Sequence, residues 1–316
     1  ADMSIVVIGD ANVDLEIRLP AGSHPESHAN PDPELFSGGS AANTAAALAL
    51  LGEDCSFVGT VGDDSFGRQA VLGLEAAGVD VGQTQISADE PTVAVLVVVP
   101  QDGDRLIYVW PPSGGAHGAL TPPMVIDAVQ GASWLHVSGI CLRTSPSREA
   151  LLAGMSAARS AGVPVSFDLN LRLENWGWDG GFRETVMEAV ELCDVLLGAG
   201  SAEIGALAGD DDPVRAAESL ASDGRVVVAR LGAEGAIAWS EAGLISEPGF
   251  EVPVVDTVGA GDAFDAGFIS ARLRGFDLTE SLRWGNAVAG LAITAPGARS
   301  IPSADEVARL VATADG

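Results

Sequence analysis

Asp262 closes the run Asp256-Thr257-Val258-Gly259-Ala260-Gly261-Asp262, after which Ala263-Phe264-Asp265-Ala266-Gly267-Phe268 reads as the start of a helix. Glycines lack a Cβ, so successive backbone N–H groups can converge on one point, and a helix N-terminus adds partial positive charge there. Gly259, Ala260 and Gly261 therefore make a candidate anion-binding turn, with the Asp262 carboxylate at its mouth. Taken alone, Asp262 reads equally well as an ordinary N-cap. The apolar run from Phe250 to Val255 is expected to be the strand that feeds this turn.

Other polar residues fall where elements are expected to end. Asp10 and Asp14 follow the apolar strand-like run Ile5-Val6-Val7-Ile8. Two carboxylates there could accept hydrogen bonds from a polyol, although turn chemistry explains them too. Gly38-Gly39 opens an Ala- and Leu-rich helix with Asn43 in its first turn, a place where a ligand could approach closely or where helices could simply pack. Asp168, Asn170 and Arg172 follow the strand-like Val163 to Phe167. Glu203 lies past a further strand, as a ligand-facing group or as a partner of a helix dipole. Arg230 ends an apolar strand and leads into a tight turn with Gly232 and Gly235. No GxGxxG fingerprint follows the first strand. His24 and His28 share a helical spacing, but Pro25, Pro31 and Pro33 argue against a helix and hence against a metal pair.

Composition removes whole mechanisms. All sixteen basic residues of the 316 are arginine. Without lysine there is no Walker-A loop, no Schiff base to pyridoxal phosphate and no lysine-dependent aldolase. A net charge of −28 argues against nucleic acid or an anionic membrane as partner. It reads as a strongly solvated surface suited to high salt, where screening relieves self-repulsion. Cys55, Cys141 and Cys193 are far apart in apolar surroundings and are expected to be buried thiols. No apolar run approaches the roughly 18 residues of a membrane span, and no leader is visible, so a cytoplasmic protein is expected.

The elements that must position these residues alternate. Helices are expected to about Gln130, from Ser147 to Ala161 and from Phe182 to Leu192, with strands at Trp134 to Val137, Val163 to Phe167 and Val195 to Leu197. Such repetition predicts an α/β fold with a mostly parallel sheet covered on both faces, and ligands beyond the strand carboxyl ends. Thr92 to Val99 and Arg105 to Trp110 break the rhythm as a hairpin, taken as part of a small projecting sheet.

Three motifs, Gly38-Gly39 with Asn43, Gly59-Thr60-Val61-Gly62-Asp63-Asp64-Ser65-Phe66-Gly67, and Asp256 to Asp262, occur in the order and spacing of the PfkB (ribokinase-like) carbohydrate kinases. The chain resembles that family over essentially its whole length. The resemblance implies one ribokinase-like domain over residues 1–316, with a small β-sheet lid from about 11–35 and 90–115. It implies ATP-dependent transfer of a phosphoryl group to a sugar hydroxymethyl. Asp262 then resembles the base and Gly259, Ala260 and Gly261 the anion hole. Asp10, Asp14, Gly38, Gly39 and Asn43 resemble the sugar set, joined by Asp168, Asn170 and Arg172. Arg230, where many relatives carry lysine, falls with Gly232 and Gly235 in the nucleotide turn, and Asn286 at an adenine-side position.

Magnesium is implied with ATP. Glu203 resembles the glutamate that holds the ion through water, although Gly200 replaces the usual asparagine three residues earlier. A monovalent cation, potassium, is implied near Asp256 and the turn from Ala295 to Ala298, and a homodimer through the lid. Asp168, Asn170 and Arg172 with Trp176 are most similar to the 2-keto-3-deoxygluconate kinase and fructokinase branch. Ribokinase, a nucleoside kinase and a non-catalytic binding subunit are the alternatives.

Overall fold

The computed structural model describes residues 4–19, 32–99, 106–112, 114–173, 177–222 and 224–313. Continuous apolar runs form strands buried on both faces, as a helix-covered sheet requires. In chain order the strands are β1 (Ser4–Ile8), β2 (Asn12–Arg18), β3 (Glu34–Gly38), β4 (Asp54–Val58), β5 (Thr60–Gly62), β6 (Gln85–Ser87) and β7 (Ala94–Val99). They continue with β8 (Leu106–Trp110), β9 (Trp134–Ser138), β10 (Val165–Asp168), β11 (Val195–Ala199), β12 (Val226–Arg230), β13 (Ala236–Ser240) and β14 (Gly243–Glu247).

The main sheet runs β14-β13-β12-β11-β10-β9-β1-β4, parallel from β4 to β12 and antiparallel over its last two strands. Its register aligns the strand ends. Ile8 stands opposite Val58 and Val137, Asp168 opposite Ser138 and Leu197, and Arg230 opposite Ala199. The segments after β1, β10, β11 and β12 thus emerge along one edge of the sheet, where the polar residues singled out from sequence are found.

Helices α1 (Ser40–Leu50), α2 (Ser65–Ala76), α3 (Pro122–Ala128), α4 (Ser147–Ser160), α5 (Gly180–Glu191) and α6 (Pro213–Leu220) follow the alternation, and α7 (Ala260–Leu273), α8 (Leu278–Ala292) and α9 (Ala304–Thr313) complete it. Two apolar clusters fill the two faces. One joins α1, α2, α7, α8 and α9 to the sheet, with Phe57 and Phe268 fully buried. The other joins α3 to α6, with Phe167, Leu151 and Met155 fully buried. Helix α8 begins at a reciprocal capping box, Asp277 with Glu280, which satisfies helix-start N–H groups. All three cysteines are buried free thiols.

A second sheet, β3-β2-β7-β8, carries the expected hairpin, with β7 and β8 antiparallel. Strand β2 pairs with β3 antiparallel and with β7 in parallel. The hairpin tip and most of the segment after β2, including His24 and His28, lie outside the described residues, as does Trp176. One local expectation is corrected. Phe250 to Val255 is not a strand but an extended segment, with Val254 62% and Val255 58% exposed. Val255 and Asp256 donate their N–H groups to the Ile293 carbonyl at the end of α8 instead of to a sheet neighbour. An apolar run signals a strand only where a free strand edge is within reach, and none is taken here.

Candidate active site

Helix α7 sets the centre of the site. Its N-cap is Gly259 in the left-handed region at φ 77°, and a Cβ there would lie 2.7 Å from the Cβ of Ala298, so the turn requires glycine. Asp262 is thus the third residue of the helix and not its cap. Its carboxylate turns away from its own helix toward α1. Ser40 donates from Oγ to Oδ1 at 2.7 Å, and Asn43 donates from Nδ2 to Oδ2 at 3.0 Å. Burial pushes the Asp262 carboxyl up to about 7, against the lowering effect of these two donors and with the help of Asp168 and Asp10. That is the range a general base needs near neutral pH.

Helix α1 is itself fixed by Asp10. The Asp10 carboxylate accepts from Ser40 N at 3.0 Å and Ala41 N at 3.2 Å. Gly39, at φ 96°, permits this approach, because a Cβ would come within 2.6 Å of the Asp10 carbonyl oxygen. Asp10 therefore anchors the helix start that carries Ser40 and Asn43. Asp14, on β2, accepts from Asn12 Nδ2 at 2.8 Å and lies over Gly38, and burial raises its carboxyl to about 6.

A cavity of about 480 Å³ opens beside Asp262. Its walls include Gly259, Ala260 and Gly261, then Asp168, Asn170 and Arg172, then Glu203 and Arg230. The segments after β10, β11 and β12 and the α7 turn meet here, as expected for a site beyond strand carboxyl ends, while Asp10, Asp14, Gly38, Gly39 and Asn43 lie outside the cavity lining and reach it only through the contact of Asn43 with Asp262. Asn170 and Arg172 have φ of 38° and 48°, left-handed values that non-glycine residues adopt at a cost of order 1–3 kcal/mol each. Between them the Leu171 N–H donates to Glu203 Oε1 at 2.8 Å, while Ala199 N–H holds Glu203 Oε2 at 2.8 Å. The strained turn is therefore pinned by a buried carboxylate, and it leaves the Arg172 side chain exposed to the cavity. Burial, reinforced by Asp168, pushes the Glu203 carboxyl up.

Arg230 stands differently from a free nucleotide contact. Its Nη1 donates to Asp265 Oδ1, and its Nη2 donates to Asp168 Oδ1 at 2.7 Å with Glu203 Oε2 at 3.9 Å. Burial works against its charge, but the carboxylates of Asp168, Asp265 and Glu203 outweigh that and hold it protonated. Gly232 and Gly235 form the turn between β12 and β13, away from the cavity lining. Asn286 is buried, and its Nδ2 donates to the carbonyls of Glu247 and Pro248 at 3.0 and 3.1 Å. Its amide secures the chain after β14 and is not part of the cavity wall. Asp256 accepts from Val258 N at 3.1 Å and Gly297 N at 3.0 Å, so it ties the α7 turn to the turn after α8. Glu203 lines the cavity and Asp256 does not.

Three residues escaped the sequence reading. Ser40 is one helical turn before Asn43, so helical spacing from Asn43 was the available signal. Asp265 lies three residues after Asp262 in the apolar stretch from Ala263 to Ile269, and a fully buried carboxylate there calls for a cation. Arg299 donates from Nε to Asn43 Oδ1 at 3.1 Å, and its sequence neighbours gave no hint of that.

The chain matches the model of the pfkB family carbohydrate kinases over residues 2–305. It belongs to that family. The ATP-dependent ribose-1-phosphate kinase of Halopiger xanaduensis is 34% identical over 306 residues, covering 96% of each chain. A fructokinase of Vibrio cholerae O395, solved with fructose, ADP and potassium ion, superposes with a TM-score of 0.81 at 27% identity, covering 98% of this chain and 99% of that one. The ribokinase of Arabidopsis thaliana, solved with ribose and ATP, gives 0.82 at 25% identity over 98% of this chain and 99% of that one. The fold is ribokinase-like and the enzyme is an ATP-dependent sugar kinase.

A group that must be ionised to accept a proton imposes an acid limb on the rate. Because burial pushes the Asp262 carboxyl up to about 7, kcat/KM of this kinase should, if Asp262 accepts the proton, fall below neutrality with an apparent pKa near that value, measured from pH 5 to 9. A rate unchanged down to pH 5 would contradict the role of Asp262 as base.

Proposed function

We propose that this kinase phosphorylates the hydroxymethyl group of a small sugar bearing an anionic group, a keto-deoxy sugar acid or a sugar phosphate. The observation that carries the reading is Arg172, a cation held at the cavity by a strained backbone. Among the described residues it has no carboxylate within ion-pair distance. A free guanidinium beside the base suits a carboxylate or phosphate on the acceptor, which it can grip through two parallel hydrogen bonds. The ribose-1-phosphate kinase relative, by its name, also takes an acceptor that already carries an anion. The second reading is a neutral ketohexose, favoured by the likeness to the fructokinase. In both, Asp10, Asp14, Gly38, Gly39 and Asn43 form the acceptor side.

In the reaction proposed, Asp262 takes the acceptor hydroxyl proton as the new O–P bond forms and the bond from the γ-phosphorus to the ADP oxygen breaks. The N–H groups of Gly259 and Gly261 would face the phosphoryl oxygens, joined by that of Ala260, whose 3.3 Å bond to the Thr257 carbonyl is long enough to be shared. Phosphoryl transfer asks mainly for alignment and charge neutralisation, and fixed backbone dipoles supply both without lysine. Arg230, Gly232 and Gly235 form the nucleotide side, with Arg230 acting through the acidic cluster that it braces.

Magnesium fits the site as an ion carried in with ATP. Both oxygens of Glu203 already accept a backbone N–H, and no group of three ligating side chains gathers among the described residues. Glu203 would then meet the ion through water, as suits a cation that keeps much of its hydration shell. Bound there, the ion would neutralise phosphate charge. Potassium is assigned to the neighbourhood of Asp256 and the turn after α8.

The outer lid strand offers a surface for a second copy. Every residue of β8 is exposed, with Ile107 63% and Tyr108 56%, and among the described residues its edge away from β7 has no partner strand. An exposed apolar edge is unstable toward pairing unless it is covered, and the same strand of another lid presents a self-complementary apolar face. The native protein should have the mass of a dimer by light scattering, and Ile107→Asp that of a monomer. A native monomer at working concentration would overturn the assignment.

ADP release with 2-keto-3-deoxygluconate, ribose 1-phosphate, fructose, ribose and adenosine, in KCl and in NaCl, tests the substrate and the cation together. Arg172→Ala should lose about 2–5 kcal/mol of transition-state stabilisation with an anionic acceptor and less with a neutral one. Equal losses would remove Arg172 from acceptor choice, and equal rates in the two salts would remove potassium.

A further inference from the structure

Asn43 is held between two groups that leave its amide one orientation. A guanidinium can only donate and a carboxylate can only accept. Oδ1 of Asn43 must therefore face Arg299, whose Nε donates to it at 3.1 Å, and Nδ2 must face Asp262, to which it donates at 3.0 Å. A flipped amide would set NH2 against the guanidinium and a carbonyl oxygen against the carboxylate. Arg299 comes from the turn after α8, the same turn whose Gly297 N–H binds Asp256 and whose Ala298 packs on Gly259. Its Nη2 reaches the Gly38 carbonyl at 3.4 Å, and its Nη1 is buried without a hydrogen-bond partner, toward Gly73 of α2. A cation in that position is expensive to bury, so its retention calls for a role that its own hydrogen bonds do not supply.

We propose that Arg299 is a positioning residue for Asp262: by fixing the Asn43 amide and placing a positive charge behind it, Arg299 keeps the base ionised and aimed at the acceptor. The proposal rests on the kinase reading of Asp262.

The surroundings of Asp262 explain why such help is needed. Asp10 at the end of β1 and Asp168 at the end of β10 face it with like charge, and Asp265 stands one turn further along α7. Arg230 on β12 is occupied by Asp168 and Asp265. From α1 come only the neutral donors Ser40 and Asn43. Arg299 supplies a cation through Asn43 and lies beside both Asp14 and Asp262. Its own ionisation is pulled down to about 10 by burial, against the two carboxylates, so it stays charged across the working range.

The test is the titration of the Asp262 carboxyl carbon by 13C NMR in the substrate-free protein, with the signal assigned by its loss in Asp262→Asn. Removing a cation that favours the ionised form should move the Asp262 titration upward by about one pH unit in Arg299→Gln. Arg299→Lys, which keeps the charge but not the fork, should move it less, and the acid limb of kcat/KM should follow in each case. Asn43→Ala should raise it as well, and adding Arg299→Gln to Asn43→Ala should then shift it by less than Arg299→Gln does alone. An unmoved titration in folded Arg299→Gln overturns the proposal. If that variant does not fold, an unmoved titration in Asn43→Ala does so. Because the measurement needs no substrate, absence of turnover with every sugar would fail the kinase reading while the positioning role is still read from the titration.

Discussion

A carboxylate drawn out of water must be given hydrogen bonds, and at Asp262 the protein does this from outside the helix that bears it. The donors come from the first turn of α1, whose position is fixed in turn by the Asp10 carboxylate on its N–H groups. The start of α7 carries no side-chain cap and lines the cavity with its dipole, the Ala260 N–H also reaching the Thr257 carbonyl at 3.3 Å. Two helix N-termini thus meet at Asp262. One receives Asp10 as its anion, and the other lines the cavity without a side-chain cap.

The acidic wall of the cavity follows from the same economy of charge. In a chain whose cations are all arginine, a strand-end arginine is planar, permanently charged and able to bind several carboxylates at once. Arg230 joins Asp168 at the end of β10, Glu203 past β11 and Asp265 inside α7. It therefore fixes how α7 sits against the sheet edge. Glu203 has a second task, since its Oε1 holds the left-handed turn that presents Arg172 while its Oε2 is fixed by Ala199 at the end of β11. The residue assigned to substrate choice depends on the cluster that braces the helix, although the two are separate in sequence.

The parallel sheet, its helices and the hairpin were legible because apolar periodicity and βα alternation are local signals, and β9 to β11 fall within a few residues of expectation. The glycine turn at Gly259 and the strand-end cluster at Asp168, Asn170 and Arg172 were legible for the same reason. What the chain order concealed is what depends on partners more than two hundred residues apart, such as Ser40 with Asp262 and Asn43 with Arg299. Phe250 to Val255 misled because an apolar run does not reveal whether a strand edge is available. Asn286 was placed by resemblance alone, and its amide is used on the Glu247 and Pro248 carbonyls.

The central claim is that Asp262 acts on the acceptor proton while the backbone of the α7 turn binds the phosphates. Asp262→Asn preserves size and separates the two functions. The account predicts that turnover with the best acceptor is abolished while the ATP dissociation constant, measured by calorimetry, changes by no more than a few-fold. Near-normal turnover in that variant, or loss of ATP binding in step with loss of turnover, would contradict it.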